Sequence, residues 1–157
     1  ARVIYVDADA CPVRDEAVRV AERHGVALTF VANGGIRPSR HPLVRVVAVE
    51  AGADAADKWI ADRIGPGDIC VTADVPLAAR CVAAGARVIG HDGSAFSAAN
   101  IGDRLAMRDL MADLRAADPF RPGGGKGFRP ADRARFLDAL ERELRALARG
   151  YTNGSTD

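Results

Sequence analysis

Cysteine is scarce in this chain, with only Cys11, Cys70 and Cys81 among 157 residues. None forms a CxxC pair and the number is odd, so neither a disulfide framework nor a sulfur-ligated zinc site is indicated. Cys70 and Cys81 lie in apolar segments and read as small buried hydrophobes. Cys11 sits where a helix N-terminus could lower its pKa, but no histidine lies near it in sequence, which argues against a catalytic thiol. Long apolar runs are also missing. None approaches a bilayer span and the chain opens on Arg2 and a strand-like run, so a cytoplasmic protein without membrane association is expected. No repeats occur. Charge of one sign is lacking overall, with a net of +1. The balance is nonetheless uneven, because residues 101–150 carry 11 basic against 8 acidic side chains. That excess offers a mildly basic face to a polyanion or simply a solvated helical surface.

What remains is an ordinary globular composition, 48% apolar and 27% charged, long enough to bury a core as one domain. Val3-Ile4-Tyr5-Val6 reads as a buried strand ending in Asp7-Ala8-Asp9, and Pro12 suits the first turn of a helix that Gly25 stops. Val26–Ala32 reads as a second strand and Val44–Val49 as a third. A helix follows from Ala53 to Ile64, a fourth strand from Ile69 to Asp74, a helix opened by Pro76, and a fifth strand from Ala86 to Ile89. Such alternation, with few polar interruptions in the strands, predicts a mainly parallel α/β sheet of about five strands covered on both faces. From Asn100 the pattern turns helical. Ile101, Leu105, Leu110, Met111 and Leu114 mark one amphipathic segment, and Phe136, Leu137, Leu140, Leu144 and Leu147 mark another. The expected organisation is an α/β core over 1–99, a helical region over 100–150 packed on the same domain, and a flexible tail over 151–157.

In parallel sheets ligands gather at the carboxyl ends of the strands. Asp7, Asp9, Asp74 and Asp92 all follow strand ends, and Asp54 and Asp57 lie three apart at the start of a helix facing the same rim. Those two are equally suited to the positive end of the helix dipole, with or without a metal. Several carboxylates delivered to one rim would repel unless something positive sits among them. Oxygen ligands with few histidines or cysteines nearby select Mg2+ or Mn2+, and ions held this way serve displacement at phosphorus. The leading expectation is therefore phosphodiester hydrolysis, with Asp7 and Asp74 catalytic and Asp7, Asp9, Asp54, Asp57 and Asp74 as metal ligands. Arg37, Arg40, Lys126 and Arg129 are candidate phosphate contacts. The glycine-rich stretch Gly123–Gly127 contains Lys126, but it lacks GxxxxGK[ST] and a preceding strand, which excludes a Walker loop.

The stretches Asp7-Ala8-Asp9-Ala10-Cys11-Pro12-Val13, Gly52-Ala53-Asp54-Ala55-Ala56-Asp57 and Gly67-Asp68-Ile69-Cys70-Val71-Thr72-Ala73-Asp74-Val75-Pro76-Leu77-Ala78 together resemble the YaiI/YqxD family of bacterial proteins. Gly123-Gly124-Gly125, followed by Asp132-Arg133 and Phe136, extends the likeness over nearly the whole chain. That family is grouped with PIN-like domains, metal-dependent ribonucleases and related nucleases. The resemblance implies a PIN-like core with Asp7, Asp54, Asp57 and Asp74 around Mg2+ or Mn2+, Thr72 at the substrate, and nucleic acid, RNA above all, as partner. PIN enzymes more often carry a glutamate on the central helix, where this chain has aspartates.

Two other readings remain open. A strand ending Asp-x-Asp also opens haloacid-dehalogenase-type phosphatases, with Asp7 as nucleophile and Gly67-Asp68 imitating a later motif. A non-catalytic nucleic-acid-binding module that keeps a metal site is the third, since a nuclease-like fold does not by itself establish activity.

Overall fold

A computed structural model describes residues 2–50, 52, 54–118, 120 and 127–150. Strand β1 (Val3–Asp7) lies at the middle of a six-stranded sheet. It pairs in parallel with β2 (Ala27–Ala32) on one side and β4 (Ile69–Val71) on the other. The sheet continues outward to β3 (Val44–Ala48) beyond β2 and to β5 (Arg87–Ile89) beyond β4, both parallel. The order β3-β2-β1-β4-β5-β6 therefore reverses direction at β1. A crevice opens at the carboxyl ends of strands where such a reversal occurs, and β1 ends there in Asp7.

The mainly parallel α/β sheet expected from the strand pattern is what forms, with one strand more. Strand β6 (Ala95–Phe96) runs antiparallel to β5. Two residues are too few to show an alternating pattern, so nothing in the sequence announces it.

Alternation along the strands sorts side chains to two faces. Ile4, Val6, Leu28, Phe30 and Val71 turn toward helices α1 (Arg14–His24) and α5 (Pro130–Ala148). Val31, Cys70 and Val88 turn toward α2 (Ala55–Ala61) and α3 (Val75–Ala83). Helix α1 closes on Gly25 in the left-handed conformation, whose N–H bonds back into the last turn. Helix α3 opens on Asp74, whose carboxylate accepts the Leu77 N–H at 2.9 Å, with Pro76 in the first turn.

The C-terminal region divides in two. Helix α5 buries Phe136, Leu140 and Leu144 completely in the cluster that holds β1 and α1. Burying Phe136 alone is worth ~2–3 kcal/mol. Arg133 ties α5 to the entrance of α1 through the Pro12 carbonyl and Glu16, both at 2.8 Å. Arg87 pairs with Glu143 across the β5–α5 contact. Helix α4 (Ile101–Ala117) leans on α3 but buries no residue, and Met107, Leu110 and Met111 remain exposed. The amphipathic pattern of this segment correctly marked a helix, but its apolar residues are at best half covered, as at Ile101, Leu105 and Leu114. No helix among the described residues is long and apolar enough to cross a membrane.

The β5–β6 turn meets α5 through Gly93. With φ at +84°, a Cβ there would lie 2.5 Å from the Arg135 carbonyl oxygen. Gly93→Ala is therefore expected to destabilise by about 2–4 kcal/mol through combined backbone strain and overpacking. Gly102→Ala on α4, where a Cβ meets nothing within 4 Å, should stay within ~1 kcal/mol of wild type. Urea midpoints measure both. Equal midpoints for the two variants would contradict the close approach of the turn to α5.

Candidate active site

Three chain segments deliver carboxylates to the crevice beside β1. Asp7 arrives at the end of β1, Asp57 on the first turn of α2, and Asp74 at the junction of β4 and α3. Thr72 links two of them. Its hydroxyl donates to Asp7 Oδ2 at 3.1 Å and accepts the Asp74 backbone N–H at 2.9 Å. Asp74 is fixed further by its bond to Leu77 N–H, so its orientation follows from the start of α3. Thr72 is completely buried. Its hydroxyl is engaged in orienting Asp7 and Asp74.

The electrostatics record how closely these groups press on one another. Asp57 is pushed up to about 7 by burial, by a hydrogen bond with Asp74 and by repulsion from Asp74, Asp7 and Asp54. Asp7 is also raised, first by burial and then by Asp9 and Asp74, against the opposing pull of the Thr72 hydrogen bond. Asp54 precedes α2 as its N-cap residue, makes no side-chain capping bond, and lines a small cavity of about 130 Å3 with Asp57 and Asp74. Asp57 and Asp74 meet directly. Among the described residues, however, no three His, Cys, Asp or Glu side chains stand close enough to enclose an ion as they are.

Asp9 is placed differently. It is exposed, and both its carboxylate oxygens lie 3.3 Å from the Asn33 N–H, bracing the turn after β1 against the end of β2. Asp92 accepts the backbone N–H and hydroxyl of Ser94, which hold its pKa below the ordinary carboxylate range despite burial. It sits in the β5–β6 turn beside His91, whose Nε2 is buried without a partner.

The predicted cations disperse. Arg37 lines a separate cavity with Arg14, and Arg40 is exposed on the same loop. Arg129 stands at the start of α5 beside Asp132. Lys126 lies outside the described residues. The cations that line the carboxylate cavity are instead Arg80 of α3 and Arg108 of α4. Arg80 lies six residues after Asp74, beyond the three- and four-residue spacings that make helical neighbours. The place of Arg108 depends on how α4 packs on α3, so no short-range signal in the sequence puts either at the cavity. The three thiols are buried, and burial raises the pKa of Cys11, which disfavours a reactive thiolate.

Comparison with known proteins agrees on one group. The family model described as "Uncharacterized BCR, YaiI/YqxD family" matches residues 5–146. A UPF0178 protein of Ruegeria pomeroyi is 66% identical over 147 residues, 93% of this chain and 96% of that relative. A UPF0178 protein of Roseobacter denitrificans is 64% identical over 145 residues, covering 92% and 96%. One from Parvibaculum lavamentivorans is 56% identical over 146 residues, covering 93% and 95%. No solved structure matches the chain.

The raised Asp57 value has a consequence for stability. A carboxyl whose pKa rises on folding stabilises the fold while protonated, and that contribution is lost as pH climbs through its folded value, here about 7. In chelator, the thermal midpoint should therefore fall as pH rises from about 4 to about 7.5 and level off above, and Asp57→Asn should flatten the fall. His91, whose pKa burial lowers from 6.5, works in the opposite sense and is common to both proteins, so the difference between them isolates Asp57. A midpoint that is flat for wild type over that range would contradict the mutual repulsion.

Proposed function

The chain belongs to the YaiI/YqxD family, and we propose that it is a divalent-metal-dependent phosphodiesterase that hydrolyses single-stranded nucleic acid, RNA above all. The observation that carries this reading is the convergence of Asp7, Asp57 and Asp74, from three segments, into one region where Asp57 is pushed up to about 7. Carboxylates so arranged are tolerable near neutral pH when a cation shares their charge.

The donor chemistry fits a hard ion. Asp7, Asp54, Asp57 and Asp74 offer only carboxylate oxygens, and the described cysteines are buried. That set suits Mg2+ or Mn2+ better than zinc. Among the described residues the carboxylates are not closed around a point, and Asp7, Asp54, Asp57 and Asp74 are the side chains that would hold the ion. A bound ion would supply Lewis acidity toward a phosphoryl oxygen. The protein's own part is positional. Thr72 holds Asp7 against the end of β1, the first turn of α3 holds Asp74, and Arg80 and Arg108 on the cavity wall offer positive charge to the phosphates of a strand. Asp9, exposed at the same rim, braces the β1–α1 turn through the Asn33 N–H. The likeness of the sequence motifs to PIN-type nucleases points in the same direction.

The phosphatase reading is weaker on two observations. Both Asp9 oxygens are engaged by the Asn33 N–H. Asp68, its supposed later motif, is a buried acid before β4, at the opposite end of the sheet, accepting the N–H groups of Val3 and Gly65 at 3.1 Å.

Cleavage of fluorescent single-stranded RNA and DNA with added Mn2+ or Mg2+ tests the proposal. Asp7→Asn should lower the rate at least ~100-fold with the circular dichroism spectrum unchanged, and Thr72→Val should lower it about 10-fold through loss of orientation. Wild-type turnover in Asp7→Asn, or no cleavage by the wild-type protein with either metal, would sink the assignment.

A further inference from the structure

A cavity of about 510 Å3 lies on the other side of β1 from α2 and α3. It opens between α1, the strands β2 and β3, and the irregular segment 33–42. Its floor is apolar, made by Val18 of α1, Phe30 and Val46 of the two strands, and Ile36 of the loop. Arg14 and Arg37 stand at its rim, with Asp15 beside them. The volume falls within the range of small-molecule sites, and an apolar floor with a few convergent polar groups is their usual make-up.

The position of this cavity is informative. Arg14 donates a hydrogen bond to the carbonyl of Ala8, the residue between Asp7 and Asp9. The Asn33 N–H that braces Asp9 begins the loop that continues into Gly35, Ile36 and Arg37 on the cavity wall. The cavity and the carboxylates therefore share the carboxyl end of β1, one to each side of it. Arg37 and Arg40 have no acidic partner among the described residues, whereas Arg23, Arg87, Arg133, Arg135 and Arg145 are all paired with acidic side chains. Unpaired guanidinium over an apolar floor suits a ligand that is flat and apolar at one end and doubly ionisable at the other.

We propose that this cavity is a nucleotide subsite, in which the base packs on Phe30, Ile36 and Val46 and the phosphate meets Arg37 and Arg14. The proposal deepens the phosphodiesterase reading and rests on it for the role of the site, which is to hold a nucleotide adjoining the bond at the carboxylates. Binding itself requires neither metal nor turnover. Packing on the floor favours any base, so the site would grip a strand with little preference for sequence.

Calorimetric titration of AMP and UMP into the full chain, in chelator, tests this directly. Both nucleotides should bind, with adenosine and inorganic phosphate each at least ~10-fold weaker than AMP, since each supplies half of the contacts. Arg37→Glu and Ile36→Ala, both in a loop outside the strands and helices, should each weaken AMP by about 10-fold or more with the fold intact by circular dichroism. Asp7→Asn should leave AMP affinity unchanged, so loss of cleavage and loss of this subsite are read separately. No binding of either nucleotide at millimolar concentration would overturn the proposal. So would phosphate or adenosine binding as tightly as AMP, or AMP binding indifferent to both loop variants.

Discussion

Like charges held together by a folded chain are the constraint on which the functional end of this protein depends. Asp7, Asp57 and Asp74 stand on three different segments, and each is held there by something unrelated to the others. Asp7 closes the central strand, Asp74 caps α3, and Asp57 lies in the first turn of α2. The buried Thr72 hydroxyl couples the first two through a donated and an accepted hydrogen bond. The carboxyls cannot relax apart without disturbing the sheet or the helix starts. The stress appears instead as protonation, with Asp57 pushed up to about 7 and Asp7 raised as well. Perturbed groups of this kind, combined with a cavity and a rim position, are the pattern in which functional sites recur.

The rest of the fold makes that arrangement possible. Parallel pairing on both sides of β1 brings the ends of β1 and β4 to the same edge, and α5 secures the opposite face with fully buried Phe136, Leu140 and Leu144. The ties from Arg133 to Pro12 and Glu16 fasten α5 to the turn that leads out of the site. The C-terminal helical region therefore contributes to the site through α5 and the Arg108 of α4, although neither helix carries one of its carboxylates.

Much of this could be read from the chain alone. Apolar runs ending in aspartate gave away β1 and β4, and the spacing of Asp54 and Asp57 placed them together because local geometry at a helix start is set within a few residues. The cations were harder. Arg37 was singled out as a phosphate contact and lines a cavity, but Arg80 and Arg108, which line the carboxylate cavity, were not. Their positions follow from how whole helices cross, which no short window of sequence encodes. The side chain of Asp9 is placed by a turn as well as by the strand. Alternation predicts that it leans with Asp7, but the strand ends at Asp7, and Ala10 adopts a positive φ of 55°, turning the chain before α1.

The claim at the centre of this account is that the carboxylate region gives up a proton to take a divalent ion. Titration of Mn2+ at pH 6 in two buffers of different ionisation enthalpy measures that exchange. The account predicts saturable binding with release of close to one proton per ion, reduced in Asp57→Asn. Absence of binding, or binding whose heat is the same in both buffers, would contradict it.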